Sequence, residues 1–247
     1  MKKLRKATPE EIAYTAECRT KVKEANFSIL YGGGAKTLAA ALRKADNSLT
    51  EKESLTLAKK LIDIKKGKKN QDGIFYGGAD SDAHNAMYSI AYSHDSSLPG
   101  LGTKISEALR VSKVGDDFIT SRTNFCIQAS GAEMLSSILV AIMALCKQRN
   151  IEAYYCISIH DEIHFIVKEE QKLEFCELFQ TAHFYVWHFF HERFGVKEVP
   201  WQRAFFDDIT IRHCVCKEAT ESLETISLPE GANEPFGQKI TMRDLFN

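Results

Sequence analysis

The alternation of apolar and polar positions predicts that the first part of the chain is helical. Residues 9–45 follow the helical period, and three glycines at 32–34 divide this stretch into two predicted helices. A third helix is predicted from Thr50 to about Lys66, because Thr50 and Glu53 have the spacing of a capping box. The pattern therefore predicts three helices before residue 70.

Beyond residue 65 the pattern changes between loop, helix and strand. Two β-rich runs, YYCISI and IHFIV, flank the polar triplet HDE, which predicts a β-hairpin with acidic residues at its tip. The run AEMLSSILVAIMALCKQ predicts a buried helix. The remaining predictions are a basic loop over 65–73, a helix near 80–92, a helix over 169–194 and a loosely ordered tail from about 219.

Charge is distributed unevenly, although the net charge of the chain is only −1. Residues 1–70 hold 17 Lys and Arg against 8 Asp and Glu, whereas residues 71–247 hold 15 against 25. This asymmetry indicates either a basic face for phosphates beside an acidic region for metal, or two solvated surfaces of opposite charge. Seven scattered cysteines without a CxxC argue against a disulfide framework. No apolar run reaches about 18 residues, so no membrane partner is predicted.

A stripe of cations and aromatic rings lies along the first predicted helix. Its members recur every four residues, so each side chain lies about 40° round the helix from the previous one. Arginine and lysine bind phosphate oxygens, and aromatic rings pack against a sugar or a base. The stripe fits a nucleoside triphosphate, but an amphipathic helix with solvated cations and core rings gives the same spacing. Its members are Arg19, Lys23, Phe27 and Tyr31.

The predicted hairpin tip, His160-Asp161-Glu162, offers carboxylate oxygens on a rigid turn. Such oxygens suit Mg²⁺, and two metal ions can clamp the attacking and leaving oxygens of a phosphoryl transfer. A polar turn with exposed acids is the simpler alternative. A zinc site at His160 and His164 is another alternative, although no third ligand has a persuasive spacing.

Three ordered motifs together resemble those of the family A DNA polymerases, in particular their mitochondrial branch. The first is R-x3-K-x3-[FY]-x3-Y-G, which runs from Arg19 to Gly32. The second is TSRTNFCIQASGAEML at 120–135, and the third is HDE at 160–162 within CISIHDEIHFIV. FYGGADSDAHNAM and VPWQRAFFDDI also look like the mitochondrial branch, and the resemblance covers roughly residues 15–220.

This resemblance implies an α+β fold and a role for each site residue. Residues 1–115 would form a helical fingers subdomain, with the nucleotide-binding helix at about 9–31. Residues 116–247 would form an incomplete palm, in which an antiparallel β-hairpin packs on long helices. The implied catalytic residues are Asp161, which carries metal, Glu162 and Lys23. Arg19, Lys23, Phe27 and Tyr31 would bind the nucleotide, and Asn124, Gln128 and His160 would bind DNA.

The implied reaction adds deoxynucleotides to a primer 3′ end by two-metal phosphoryl transfer, with two Mg²⁺ ions in the complete site. The implied partners are primer-template DNA, dNTPs and an upstream polymerase portion that carries a second metal-binding aspartate. A processivity subunit is a further candidate partner. A mitochondrial location follows from the resemblance alone, and the basic segment 1–70 would face phosphates.

One part of the family pattern is missing from the chain. The family places the second aspartate on a palm strand before the fingers helix, yet the 18 residues before Arg19 contain no aspartate and no strand-like run. We therefore expect a fragment or split subunit that is inactive alone, with an unpaired edge in its palm sheet. Two alternatives stay open: a non-catalytic nucleic-acid-binding or scaffold subunit derived from a polymerase, and a helical nucleotide-binding protein unrelated to polymerases.

Overall fold

Helices dominate the structure, and short antiparallel hairpins accompany them, so the predicted α+β class is confirmed. The computed structural model describes residues 8–195, 209–211, 238–240 and 245. Its helices are α1 (Pro9–Leu30), α2 (Ala35–Ala45), α3 (Glu51–Lys66), α4 (Ser81–Tyr92), α5 (Val111–Val114), α6 (Ile119–Arg149) and α7 (Lys172–Arg193). Its strands are β1 (Lys68–Lys69), β2 (Phe75–Tyr76), β3 (Ala153–Ile159), β4 (Glu162–Val167), β5 (Ile209–Ile211) and β6 (Gln238–Ile240).

The chain divides into two compact units, Met1–Ser130 and Gly131–Asn247, and α6 begins in the first and ends in the second. Short 3₁₀ turns at Glu107–Leu109 and Glu169–Gln171 precede α5 and α7. The predicted division into fingers at 1–115 and palm at 116–247 stays a prediction. The predicted tail from about 219 lies almost wholly outside the described residues.

The three helices predicted before residue 70 are present, and they share one buried core in the first unit. Both α1 and α3 begin at a capping box, and in α3 the backbone N–H of Glu53 donates to Thr50 Oγ1 at 3.3 Å. Such a box satisfies two backbone donors that a helix leaves unpaired at its start. The core of these helices consists of Ala25, Ile29, Leu38, Ala39 and Ala58.

The predicted basic loop over 65–73 is wrong in part, because α3 continues to Lys66 and β1 pairs with β2. The pairing is antiparallel, with Lys68 opposite Tyr76 and Lys69 opposite Phe75. The last carbonyls of α3 find partners in the chain that returns after this hairpin, which keeps the helix end ordered. The donors are the backbone N–H groups of Gly67, Ala79 and Asp80 and the hydroxyl of Ser81.

Helix α4 packs antiparallel to the beginning of α6, and both segments belong to the first unit. The Cys126 thiol lies 3.7 Å from the carbonyl oxygen of Met87, and the Arg122 guanidinium lies 5.6 Å from the centroid of the Tyr92 ring. Arg122 also donates to the carbonyl oxygen of Gly115 at 2.8 Å. The first turns of α6 are thereby held by two neighbouring segments.

In the second unit, the predicted β-hairpin is confirmed as β3 and β4. Its register runs from Ala153 opposite Val167 to Ile159 opposite Glu162, with one irregularity between Tyr155 and Ile157. One face of the hairpin packs through Phe165 and Val167 on α6 and α7. The predicted helix over 169–194 is confirmed as α7 with its preceding 3₁₀ turn. The buried residues of this core are Ile142, Cys146, Ile151, Ala153, Phe175, Leu178 and Ala182.

The predicted helix at 130–149 is present as the later part of α6, but it is buried on one face rather than all round. Within the described part of the chain, α6 buries Ile138, Ile142 and Cys146 on one face, whereas Val140 is 70% exposed. Apolar residues occur all round this half of α6, but the described residues pack against only one side of it. Among the described helices, α6 also has the length and composition of a membrane span, a test that core helices of soluble proteins pass as well.

Candidate nucleotide and DNA site

The stripe of cations and rings on α1 faces away from the core of the first unit. Arg19 and Lys23 are exposed, and Phe27 is 41% exposed. The core side of the same helix is formed by Ala25 and Ile29, which are buried. The alternative that Phe27 is a core residue therefore does not hold, and the stripe is available to a ligand.

The last three members of the stripe contact one another in order. Lys23 Nζ lies 5.6 Å from the centroid of the Phe27 ring. The rings of Phe27 and Tyr31 are stacked, with centroids 5.7 Å apart and planes inclined by 12°. A cation beside a ring and a ring on a ring both stabilise this arrangement. The helix thus presents an ordered row of groups with its positive end toward the N-terminus.

The aromatic end of this row meets α6. Gln128 Nε2 donates a hydrogen bond of 2.9 Å to the Tyr31 hydroxyl. The next residue, Gly32, has a φ of 82°, and a Cβ there would lie 3.3 Å from Thr120 Cγ2. The end of α1 therefore rests on the first turns of α6. Thr120 opens the motif at 120–135, but the sequence pattern assigns it no role, because only tertiary packing brings it beside Gly32.

Asn124 lies on α6 one helical turn before Gln128. Its Oδ1 atom is buried and has no hydrogen-bond partner among the described residues. A buried acceptor without a partner costs about 1–3 kcal/mol, so such atoms are uncommon in folded proteins. Asn124 and Gln128, two of the three residues predicted to bind DNA, both lie near the beginning of α6. Gln128 also contacts Tyr31 at the end of α1.

In the second unit, the acidic triplet lies where the sequence predicts it, at the tip of the β3–β4 hairpin. Because Ile159 pairs with Glu162, His160 and Asp161 alone form the turn. All three residues of the triplet are exposed, and His160 has a φ of 56°. Glycine adopts this backbone region more readily than a residue with a side chain, although histidine is among the side chains found there more often than most.

The described residues do not form a complete metal centre. Among them, no group of three or more His, Cys, Asp or Glu side chains is placed to bind one ion. His164 Nε2 lies 3.5 Å from Glu162 Oε2, so these two residues face each other along β4. Asp161 has the oxygen chemistry that a hard cation prefers, but it supplies one part of a site rather than a whole one.

Comparison with known families decides the class of protein. The family model described as DNA polymerase family A matches residues 2–184. The chain belongs to DNA polymerase family A. It is 31% identical over 234 residues to DNA polymerase gamma of Saccharomyces cerevisiae, a match that covers 93% of this chain and 18% of that protein. It is also 33% identical over 220 residues to the mitochondrial DNA polymerase gamma of Neurospora crassa, covering 85% of this chain and 15% of that protein.

These similarities confirm the predicted likeness to the mitochondrial branch of DNA polymerase family A. They also exclude the alternative of a helical protein unrelated to polymerases. Among solved structures, the POL domain of Pol1 from M. smegmatis in complex with DNA primer-template and dNTP aligns with a TM-score of 0.49 and 18% identity. That alignment covers 72% of this chain and 28% of that chain. As the coverages of 18% and 15% show, the chain spans less than a fifth of the length of the two gamma polymerases.

Of the residues predicted to bind the nucleotide and those predicted to bind DNA, one from each group meet in the structure. In the first unit, Tyr31 and Gln128 are in contact. Lys23 belongs to the first unit and Asp161 to the second, so their convergence on one nucleotide stays a prediction. The roles assigned to the individual residues stay predictions as well.

Proposed function

We propose that the chain supplies the fingers and the C-terminal palm part of a mitochondrial-type family A DNA polymerase. The complete enzyme would add deoxynucleotides to the 3′ end of a DNA primer. The observation that carries this proposal is the contact between Tyr31 and Gln128 at 2.9 Å. It joins the row of side chains predicted to bind the nucleotide to the helix predicted to contact DNA, and both lie within the residues 2–184 that match the family.

The row on α1 has the polarity of a nucleoside triphosphate. Arg19 and Lys23 would bind the phosphates, and Lys23 would protonate the departing pyrophosphate. Phe27 would pack on the sugar, and Tyr31 would lie against the nascent base pair. Their exposure and ordered stacking support these roles, since a ligand would find the rings already aligned.

Asn124 and Gln128 would contact the minor groove near the primer end. The acceptors at the edge of the minor groove are alike in every base pair, so these contacts would check the geometry of a pair rather than its sequence. The position of Asn124 one helical turn before Gln128 supports this role, because the two side-chain amide groups could then donate to neighbouring minor-groove acceptors.

The hairpin tip would hold the reacting end of the primer. Asp161 would bind metal, Glu162 would support the site from its edge, and His160 would contact the primer terminus. The φ of 56° at His160 supports a functional role, because glycine would adopt this turn with less strain. Enzymes of this family generally use divalent metals, and two Mg²⁺ ions would neutralise charge on the transferred phosphoryl group in the complete site.

A further carboxylate is needed, and we propose that an upstream polymerase portion, from the same gene or a separate chain, supplies it. The outer face of the β3–β4 hairpin supports this partner. Tyr154 and Ile166 are opposite each other in the register, and each is 63% exposed. An exposed apolar pair on a two-stranded hairpin is typical of a surface that another segment covers. The proposed location is the mitochondrion, and a processivity subunit is a further candidate partner.

A reconstituted primer-extension assay tests the proposal. The purified chain would be mixed with the upstream portion of a gamma polymerase, primer-template DNA, dNTPs and Mg²⁺. We expect extension only in the mixture, and we expect Asp161→Asn to abolish it while the two chains still associate. The matched control is Asp116→Asn, because Asp116 is also exposed but belongs to none of the motifs.

Two outcomes would contradict the proposal. Extension that survives Asp161→Asn would remove this residue from the reaction. Association without extension, unchanged by either variant, would favour a non-catalytic nucleic-acid-binding or scaffold subunit.

A further inference from the structure

A short basic hairpin follows α3 in the first unit, and it contains none of the predicted site residues. We define the basic hairpin as residues 67–78, which contain β1, β2 and the turn between them. Four lysines lie within the five positions 65–69, where α3 passes into β1. Lys65 forms an ion pair of 2.6 Å with Asp80. The other three, Lys66, Lys68 and Lys69, have no ion pair with any described residue.

Side-chain hydrogen bonds hold the basic hairpin in a single position. Asn85 Oδ1 accepts from the backbone N–H of Phe75, and Asn85 Nδ2 donates to the carbonyl of Phe75, each at 2.8 Å. The amide of Asn85 therefore acts as a third strand along the outer edge of β2. A two-stranded hairpin is marginal by itself, so this anchor is needed for its order.

The two ends of the basic hairpin are also fixed to each other. A Cβ on Gly67 would lie 2.1 Å from the carbonyl oxygen of Tyr76, and one on Gly78 would lie 2.2 Å from the backbone nitrogen of Gly67. Only glycine permits this approach of the two backbones. The hydroxyl of Ser81 accepts from the backbone N–H of Gly78 at 2.9 Å and so closes the base.

The two faces of the basic hairpin differ in their surroundings. On the inner face, Phe75 lies 5.7 Å from Tyr88 and 5.9 Å from His84, and Lys69 Nζ lies 4.7 Å from the centroid of Phe75. On the outer face, Lys68 is opposite Tyr76, which is 55% exposed. A rigid surface therefore presents an open aromatic ring with a cation beside it.

Cationic groups lie close together near the inner face, where Asp80, which already pairs with Lys65, is the anion that acts on His84. Lys66 is only 7% exposed, and its pKa is lowered by burial and by the charge of Lys69. His84 is 2% exposed and its Nε2 atom has no hydrogen-bond partner among the described residues. Burial and then the charge of Lys66 lower the pKa of His84 to about 4. A bound anion would relieve this repulsion.

We propose that the basic hairpin binds single-stranded nucleic acid, with phosphates at Lys68 and Lys69 and a base stacked on Tyr76. Lysines on the two faces of β1 flank the edge of this strand that pairs with no described strand, and a phosphate backbone could run along that edge. An exposed ring favours a single strand, because a duplex keeps the faces of its bases covered. That the strand is the DNA template rests on the proposed function.

Binding of a labelled oligothymidylate to the full chain tests the proposal, with fluorescence anisotropy recorded over a range of salt concentrations. Each phosphate contact to a single strand contributes about 0.7 to the slope of log affinity against log salt. We expect the double variant Lys68→Gln/Lys69→Gln to bind about tenfold more weakly and to reduce that slope by about 1.4. The matched control is Lys44→Gln/Lys52→Gln, since both lysines are exposed. Lys52 lies about 21 Å from the end of α3 at which the basic hairpin begins. The control should leave the slope unchanged.

Tyr76→Ala separates stacking from charge. Loss of one stacked base should weaken binding about tenfold, without a change in the salt slope. Binding to a blunt duplex of the same length should not change. Thermal melting of each variant, followed by circular dichroism, checks that the fold is retained.

Equal losses in the two lysine double variants, or a Tyr76→Ala variant that binds as the unmodified chain does, would overturn the proposal. Preference for the duplex would overturn it as well. The assay contains no dNTP and no upstream chain, so it fails independently of primer extension. If binding depends on the basic hairpin but the reconstituted chain never extends a primer, this inference holds and the proposed polymerase function fails.

Discussion

The hydroxyl of Tyr31 accepts a hydrogen bond from Gln128 Nε2 at 2.9 Å, although 97 positions of sequence separate the two residues. The contact ties the C-terminal end of α1 to α6 on the side where Asn124 also lies. In the proposed polymerase, this places residues for the nucleotide next to residues for the primer. Gln128 is exposed, so it can exchange the tyrosine hydroxyl for the edge of a base pair with little change in its surroundings.

Removing this hydroxyl should weaken the first unit slightly. We expect Tyr31→Phe to lower the free energy of unfolding by about 0.5–1.5 kcal/mol, the usual net contribution of one hydrogen bond. Urea unfolding followed by circular dichroism measures the change. Tyr76→Phe is the matched control, because no hydrogen bond joins the Tyr76 hydroxyl to a described residue. Equal changes in the two variants would show that the contact with Gln128 contributes nothing.

The ring of Phe27 offers a test of its place beside the sugar. In a reconstituted enzyme, we expect Phe27→Tyr to accept dideoxynucleotides more readily, because the new hydroxyl can replace the missing 3′-OH of the sugar. A hydrogen bond to a charged partner is worth about 1.5–3 kcal/mol, which corresponds to a preference changed by roughly tenfold or more. The ratio of dideoxynucleotide to deoxynucleotide incorporation measures the effect.

The control for Phe27→Tyr is Phe189→Tyr on α7, since Phe27 and Phe189 are 41% and 43% exposed. That variant should leave the incorporation ratio unchanged. A Phe27→Tyr enzyme with the same ratio as the unmodified enzyme would contradict the position assigned to this ring.

The turn at His160 should show opposite effects on stability and activity. Because its φ is 56°, we expect His160→Gly to keep or raise the free energy of unfolding, by up to about 1 kcal/mol. Primer extension in the reconstituted enzyme should fall, because the imidazole is lost. His160→Asn is the control, since asparagine tolerates this backbone region without supplying an imidazole. Full extension by both variants would show that the strained turn has no role in the reaction.

His84 should make the stability of the first unit depend on pH. Its pKa is lowered to about 4 in the folded chain, chiefly by burial, against about 6.5 when unfolded. The unfolded state therefore binds the proton more readily, so stability is present above pH 6.5 and is lost as the pH falls toward 4. Lys66 and Lys65 oppose protonation of His84, and Asp80 favours it.

Urea unfolding at pH 7 and pH 5 measures this dependence. Between pH 7 and pH 5, we expect the free energy of unfolding of the unmodified chain to fall by about 2 kcal/mol more than that of the His84→Gln variant. His94→Gln is the control, because His94 is exposed and its replacement should leave the loss unchanged. A His84→Gln variant with the same loss as the unmodified chain would exclude His84 as the source.

Local patterns in the sequence determined the elements that depend on neighbouring residues. The capping box at Thr50 and Glu53, the glycines after α1 and the β-rich runs around HDE each act within a few positions, so α1, α2, α3 and the β3–β4 hairpin could be predicted. The motif from Arg19 to Tyr31 is local in the same sense, because a spacing of four residues on a helix places its side chains in one row.

Tertiary structure decided which of these groups meet and which face solvent. No periodicity predicts that Gln128 reaches Tyr31, that Asn85 completes the edge of β2, or that Phe27 stays outside the core, because each depends on segments far apart in the chain. Hydrogen bonds and packing between distant segments form only when the whole unit is assembled. For the same reason, an apolar run such as α6 specifies a helix but not which of its faces is buried.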